Sequence, residues 1–334
     1  LGFPPPPPPP PPPKSNNVVS SKSVKIVIGV VLIAVIIVAS FIALYQGPLS
    51  SSLDGGDSQN PFLPPIIYEP KLDVAIYEQN GVWSRSSYSD LPEIEKSFGI
   101  SVTNTGNSAA QEITVTIKED YSVINQYSIA TLQPTESNSY SYTIHINYDG
   151  SKTVTVEAAC SQCSDQDSTS FTATLPRYFD EVLCKLYITP NEQNVVNLKN
   201  QIIDDKFLLT PNWMALRDWV GDNIQYRYDS SSYSQNDYWQ LPKETISRRT
   251  GDCEDFSILL CSLLRADGWS ANNAYVVVGE KDGSYHAWVQ IIWNDIEYNI
   301  EPQADGWSTL LGDYFSLSGY SAEHKFNDYQ FGNV

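Results

Sequence analysis

Leu241-Pro-Lys-Glu-Thr-Ile-Ser-Arg-Arg-Thr-Gly-Asp-Cys-Glu-Asp-Phe-Ser-Ile-Leu-Leu-Cys-Ser-Leu-Leu-Arg-Ala266 is the stretch that decides how this chain is read. Pro242 and the Thr250-Gly251 pair break the preceding structure. Ile258, Leu259, Cys261, Ser262, Leu263 and Leu264 then form a strongly apolar helix that stops at Asp267-Gly268. Cys253 therefore falls at, or just inside, a helix N-terminus, while Cys261 reads as a small buried core residue. At a helix start the unpaired amides and the positive dipole end stabilise a thiolate, and they can donate to an oxyanion. Asp252, Glu254 and Asp255 work the other way and raise the thiol pKa wherever they lie close to it.

Downstream the pattern changes to strands. Ala274-Tyr-Val-Val-Val-Gly279 is a buried-type run, Ser284 to Trp293 alternates, and Asp295 to Glu301 returns after an Asn294-Asp295 turn. His286, Trp288 and Gln290 share one face of the first strand of this hairpin; Asn299 and Glu301 share one face of the second. His286 and Glu301 lie at similar distances from the turn, so an antiparallel hairpin lets them meet across the ladder. A carboxylate beside an imidazole fixes its tautomer and stabilises the imidazolium, which pairs with the thiolate. Such a Cys–His–acid set is the kind used in acyl transfer.

Gly251-Asp-Cys-Glu-Asp-Phe256, Leu263-Leu-Arg-Ala-x-Gly268, His286-Ala-Trp-Val289 and Ile300-Glu-Pro302, in this order and spacing, resemble the transglutaminase-like core over roughly Leu216 to Trp307. The resemblance implies a papain-like α+β fold with Cys253 as nucleophile, His286 as general base and acid, and the acid on the next strand. In much of the family that acid is Asp in an Asp-Pro pair. Here Glu301-Pro302 takes the place, with Asp295 and Asp305 as weaker stand-ins. An upstream Trp helps bind the oxyanion in some relatives, a role that would fall to Trp239 or the neighbouring Gln240. The Asp-Cys-Glu-Asp segment also resembles bacterial transglutaminase-like cysteine proteinases, some of which bind calcium beside the active site. Asp252, Glu254 and Asp255 are hard oxygen donors suited to that ion. Acids that complement the helix dipole explain the same three residues with no cofactor required.

The chain has 334 residues, and the part before this domain divides by composition. Residues 1–25 are dominated by the run Pro4 to Pro13, extended polyproline II that serves as a stiff spacer or as a ligand for a proline-motif partner in the cytoplasm. Ile26 to Tyr45 is uncharged and long enough for a single membrane span. Lys14, Lys22 and Lys25 precede it and no Lys or Arg follows until Lys71, so the expected N-terminus is cytoplasmic and the remainder lies outside. Residues 46–70 read as a flexible stalk. Residues 71–176 alternate in short runs, among them Leu72 to Tyr77, Phe98 to Asn104, Ile113 to Ile117, Ser139 to Ile146 and Thr153 to Val156. This is the pattern of an all-β, immunoglobulin-like sandwich of about seven strands. Ile100-Ser-Val-Thr-Asn-Thr-Gly-Asn-Ser108 resembles the cell-adhesion-related β-sandwich repeats of prokaryotic surface proteins. Cys160 and Cys163 form a C-x-x-C in a Ser/Asp-rich loop, read as a disulfide outside the membrane. Residues 177–334 form the transglutaminase-like domain.

All 39 acidic residues lie after Tyr45, and that surface repels nucleic acid and anionic lipid. The expected function is a membrane-anchored, extracytoplasmic thiol enzyme acting on amide bonds of a protein or peptide, more a peptidase or amidase than a cross-linker. The alternative is a catalytically inactive surface binding or adhesion module.

Overall fold

The computed structural model describes residues 67–233, 235, 237–303 and 319–334. The proline run, the Ile26 to Tyr45 stretch, all but the end of the stalk, and Asp305 lie outside the described residues. Among the described residues no helix is long and apolar enough to cross a membrane.

Seven strands build the first domain: β1 (Leu72–Arg85), β2 (Pro92–Asn104), β3 (Ala110–Glu119), β4 (Ser122–Leu132), β5 (Ser137–Asn147), β6 (Gly150–Ala159) and β7 (Ser164–Ala173). One sheet runs β1-β2-β5 and the other β4-β3-β6-β7, with all pairings antiparallel. Period-two alternation sends Phe98, Ile100 and Val102 of β2 and Ile113, Val115 and Ile117 of β3 into one fully buried core. β7 occupies the Ser/Asp-rich segment after Cys163, which reads from composition as a loop. Its acids have a structural use: Asp165 accepts the Val74 N–H (2.7 Å) and Asp167 the Ile76 N–H (2.9 Å), closing the edge of β1. Cys160 and Cys163 are joined as a disulfide across the β6–β7 turn, with Cα atoms 5.1 Å apart.

The second domain opens with α1 (Gln193–Asp205), α2 (Asn212–Asn223) and the short β8 (Gln225–Tyr226). The single turn α3 (Asp229–Ser232), α4 (Pro242–Arg248) and β9 (Thr250–Gly251) lead into α5 (Cys253–Ala266). β10 (Ala274–Lys281), β11 (Ser284–Trp293), β12 (Ile296–Ile300), β13 (Tyr320–Phe326) and β14 (Phe331–Asn333) form one antiparallel sheet in the order β12-β11-β10-β13-β14. α5 is buried on every face from Glu254 to Leu264, because the sheet covers one side and α1, α2 and α4 cover the others. It ends at Gly268, whose φ of 98° lets the Trp269 N–H turn back to the Leu264 carbonyl.

The two domains are clamped together by charge. Arg177 is 9% exposed and donates to Asp149 of the β5–β6 turn (2.7 Å), to both oxygens of Glu244 (2.8 and 3.1 Å) and to the Trp239 carbonyl (3.2 Å). Nearby, Asp90 accepts the Asn191 N–H at 2.7 Å, and Arg85 donates to the Lys185 carbonyl. The sandwich is held against the second domain rather than carried as a loose spacer.

Candidate active site

α5 packs on β11, so Cys253 and His286 stand on adjoining elements. Cys253 is the first residue of α5, and the Ala287 backbone N–H on β11, next to His286, favours its thiolate. β11 and β12 pair Val289 with Ile300, joined by an Asn294-Asp295 turn in which both residues have positive φ (52° and 59°). That register sets Glu301 diagonally across from His286, and the two side chains meet: His286 Nε2 lies 2.8 Å from Glu301 Oε2. With Nε2 engaged by Glu301, Nδ1 is the ring nitrogen that remains. Trp288 and Gln290 share that face and bind Asn299 through Trp288 Nε1 (3.0 Å) and Gln290 Nε2 (3.3 Å). Asp295 is exposed in the turn, at the far end of the hairpin from His286.

Glu301 is held from several sides. Its Oε2 also accepts from the Tyr320 hydroxyl (2.7 Å), and Lys281 Nζ lies 3.8 Å away. Its backbone carbonyl accepts from the buried Arg217 at 3.1 Å. Burial pushes the Glu301 carboxyl up, but the His286 hydrogen bond and charge, with Tyr320 and Lys281, hold it below the ordinary value. A cleft of about 540 Å³ opens over His286, lined also by Tyr226, Tyr228, Lys281, Ser284, Tyr285 and Gln303.

The acids around Cys253 separate by direction. Asp255 is fully buried, and its oxygens accept from the Gln240 backbone N–H (2.8 Å), from Gln240 Nε2 and from the Asp252 N–H (3.4 Å), capping the start of α5. Gly251 must be glycine for this to happen, since a Cβ there would fall 2.6 Å from the Asp255 carboxylate. Glu254 turns toward the sulfur, and the Cys253 S–H donates to its Oε2 at 3.3 Å. Asp252 faces Asp229 of α3. Ligand oxygens of Asp229, Asp252, Glu254 and Asp255 all lie within 4.8 Å of one another, and all four residues are buried. Burial and neighbouring charge, from Asp255 and Asp252 respectively, push Glu254 and Asp255 well above the usual carboxylate range. The same causes, burial first and then the Asp252 charge, push Asp229 up to about 7. Burial and the Asp252 charge push the Cys253 thiol up to about 11, against the opposing N–H groups of Ala287 and Glu254 and the Glu254 carboxyl.

Three oxygens of this cluster, Asp229 Oδ1, Asp252 Oδ1 and Glu254 Oε1, are buried without a partner, as is Gln240 Oε1 beside them. Unpaired buried carboxylate oxygens converging at this spacing fit a hard divalent cation, which takes oxygen ligands only. Asp255 is already committed to capping. Asp229 escapes the sequence reading because it stands in a Tyr/Ser/Asp-rich loop far from Asp252 in the chain, with no spacing to mark it.

Trp239 and Gln240 are both buried and do not line the cleft. Trp239 is 3% exposed and packs against Phe179, Tyr187 and Phe326, with its indole N–H bonded to Asp237. Gln240 Nε2 donates to the Thr250 carbonyl (3.0 Å) and to Asp255. Of the two other cysteines, Cys184 and Cys261 are each buried, and burial pushes both thiols up.

This chain is a β-rich CARDB-type domain followed by an α+β transglutaminase-like domain: the transglutaminase-like superfamily model matches residues 198–310 and the CARDB model matches residues 82–161. Among solved structures, the calcium-bound LapG of Legionella pneumophila is 16% identical over 47% of this chain and 82% of that chain, with a TM-score of 0.33. A candidate cysteine protease from Cytophaga hutchinsonii is 14% identical over 74% of this chain and 82% of that chain, with a TM-score of 0.31. A CARDB domain from Pyrococcus furiosus, solved with di-metal ions, is 11% identical over 34% of this chain and 100% of that chain, with a TM-score of 0.27. The search of curated proteins found no match.

Proposed function

We propose that this chain is a thiol peptidase that cleaves a protein or peptide substrate through Cys253, His286 and Glu301. The observation that carries the reading is the His286 Nε2 to Glu301 Oε2 contact of 2.8 Å, on a strand that packs against the helix Cys253 opens. His286 takes the thiol proton as sulfur attacks the substrate carbonyl carbon, and the oxyanion forms in reach of the α5 N-terminal amides. The C–N bond breaks as His286 returns that proton to the leaving amine, leaving a thioester on Cys253. Water then attacks the thioester with His286 accepting its proton, and the carboxylic acid departs as Cys253 regains a proton from His286. Glu301 holds the imidazole tautomer and offsets its charge throughout.

Asp229, Asp252 and Glu254 would hold a calcium ion, supported by their unpaired buried oxygens. Bound calcium would supply the positive charge that this carboxylate cluster lacks, and so steady the first turn of α5. The uncharged stretch Ile26 to Tyr45, with lysines before it, supports a membrane anchor that leaves the catalytic domain outside.

The test compares the chain with Cys253→Ala on labelled casein and on a fluorescent primary amine, with and without calcium. New peptide N-termini from the native chain and none from the variant are the expected result. Amine incorporation without cleavage would make it a cross-linker. Neither product, with Cys253 alkylated no faster than an ordinary thiol, would leave a binding module.

A further inference from the structure

We infer that Tyr320 is a positioning residue whose hydroxyl fixes the Glu301 carboxylate in the orientation that serves His286. This rests on the reading of Cys253, His286 and Glu301 as the reactive set. Glutamate carries one more rotatable bond than aspartate, so its carboxylate needs more restraint to stay on one imidazole nitrogen. Tyr320 supplies it: its O–H donates to Oε2 at 2.7 Å, the same oxygen that His286 Nε2 contacts at 2.8 Å. Gln303 N–H occupies Oε1 at 3.3 Å, so the carboxylate is pinned at both ends.

The tyrosine is itself well fixed. Its ring stands edge-on to Trp288 (centroids 5.1 Å apart) and to His286 (5.6 Å), and Lys281 Nζ lies 5.0 Å over its face. β13 sets its backbone by pairing Tyr320 with Lys281 of β10. The entry to that strand needs Gly319, whose φ is 87° and where a Cβ would fall 2.3 Å from an Asp282 oxygen. Burial and the Glu301 hydrogen bond raise the phenol, so it keeps its proton and remains a donor. Tyr320 lies beyond residues 198–310, so the family match assigns it nothing.

The test uses the full chain, Tyr320→Phe, Glu301→Gln and the double variant. Phe keeps the ring contacts, and circular dichroism checks the fold. The readouts are the His286 Nε2 proton resonance in nitrogen-15 histidine-labelled protein, and the rates of iodoacetamide alkylation at Cys253 and of casein cleavage. In Tyr320→Phe the resonance should broaden into exchange and both rates fall about tenfold, the scale of one charge-assisted hydrogen bond. In the Glu301→Gln background the same change should cost less than about twofold, because Tyr320 acts through the carboxylate. An unchanged resonance in Tyr320→Phe overturns the inference. So does an equal slowing in both backgrounds. If the native chain cleaves nothing, the enzyme reading falls separately, since the resonance still reports whether Tyr320 holds Glu301.

Discussion

Asp229→Asn offers the sharpest test of the acid cluster, because calcium should cancel its effect on stability. The substitution keeps the side chain's size and an acceptor oxygen for the Tyr238 N–H but removes one charge. Two full charges at 4.8 Å, the widest separation in the cluster, repel by about 3.5 kcal/mol at an effective dielectric of about 20. Protonation of Glu254 and Asp255, both pushed well up, relieves part of this, so the realised gain on removing Asp229 should be about 1–2 kcal/mol. In a chelator at pH 8, the variant should therefore unfold about 3–5 °C higher than the native chain. In calcium at about 100 times its dissociation constant, the native chain gains about 2.7 kcal/mol. The variant, one anionic ligand short, should bind at least about tenfold more weakly and forfeit about 1.4 kcal/mol of that gain. The pH dependence carries the same sign. The folded Asp229 carboxyl holds its proton up to about 7, whereas an unfolded aspartate releases it near about 4. The Asp229 penalty on the chelated native chain is thus absent below about pH 4, and the native chain loses ground to the variant as pH rises to about 7. Calorimetric melts across pH, with calcium titrated by isothermal calorimetry, make the comparison. A variant that is less stable in chelator, yet gains as much from calcium as the native chain, would refute the reasoning.

The interdomain clamp and the hairpin acid give two further tests. Arg177→Met should cost about 3 kcal/mol and split one urea transition into two, while Asp149→Asn, at a half-exposed carboxylate, should cost less than about 1 kcal/mol; a single unshifted transition in Arg177→Met would count against the clamp. Glu301→Gln should cost about 1 kcal/mol at pH 7. That gap should close as pH falls below about 4, since a carboxyl held low keeps its stabilising charge above the unfolded value and loses it on protonation; a gap that persists in urea melts at pH 3 would refute it.

What was legible in the sequence was local or periodic. Alternation over Phe98 to Asn104 and Ile113 to Ile117 located β2 and β3, and the apolar run after Cys253 placed the start of α5 at or just before that residue. The Asn294-Asp295 turn set the register that brings Glu301 to His286, because turn geometry and strand pairing are short-range facts. β7 was not legible, since its outward Ser, Asp and Thr side chains have the composition of a loop and only pairing with β6 makes them a strand. Asp229 and Tyr320 were invisible for a related reason. Each is brought to the site by tertiary packing from a segment with no periodicity around the residue to mark it. Trp239 and Gln240 show the reverse case, side chains near the motif in sequence that packing turns inward, one to the core and the other to Asp255.

A cysteine flanked by three carboxylates looks unsuited to form a thiolate, yet the helix geometry disperses them. Asp255, at the third position of α5, is drawn under Gly251 into capping bonds and points away from the sulfur. Asp252, before the first turn, faces Asp229 across the cluster. Of the three, Glu254 takes the hydrogen bond from the thiol, and its two oxygens have different surroundings. Oε2 takes the Cys253 S–H at 3.3 Å, while Oε1 is one of the unpaired oxygens of the cluster. A cation drawn to Oε1 would withdraw charge from the carboxylate that faces the sulfur and offset the Asp252 charge that raises the thiol, so any metal held here bears on Cys253 through both side chains. The acids that seemed to oppose the chemistry of Cys253 are then the route by which its surroundings can be set.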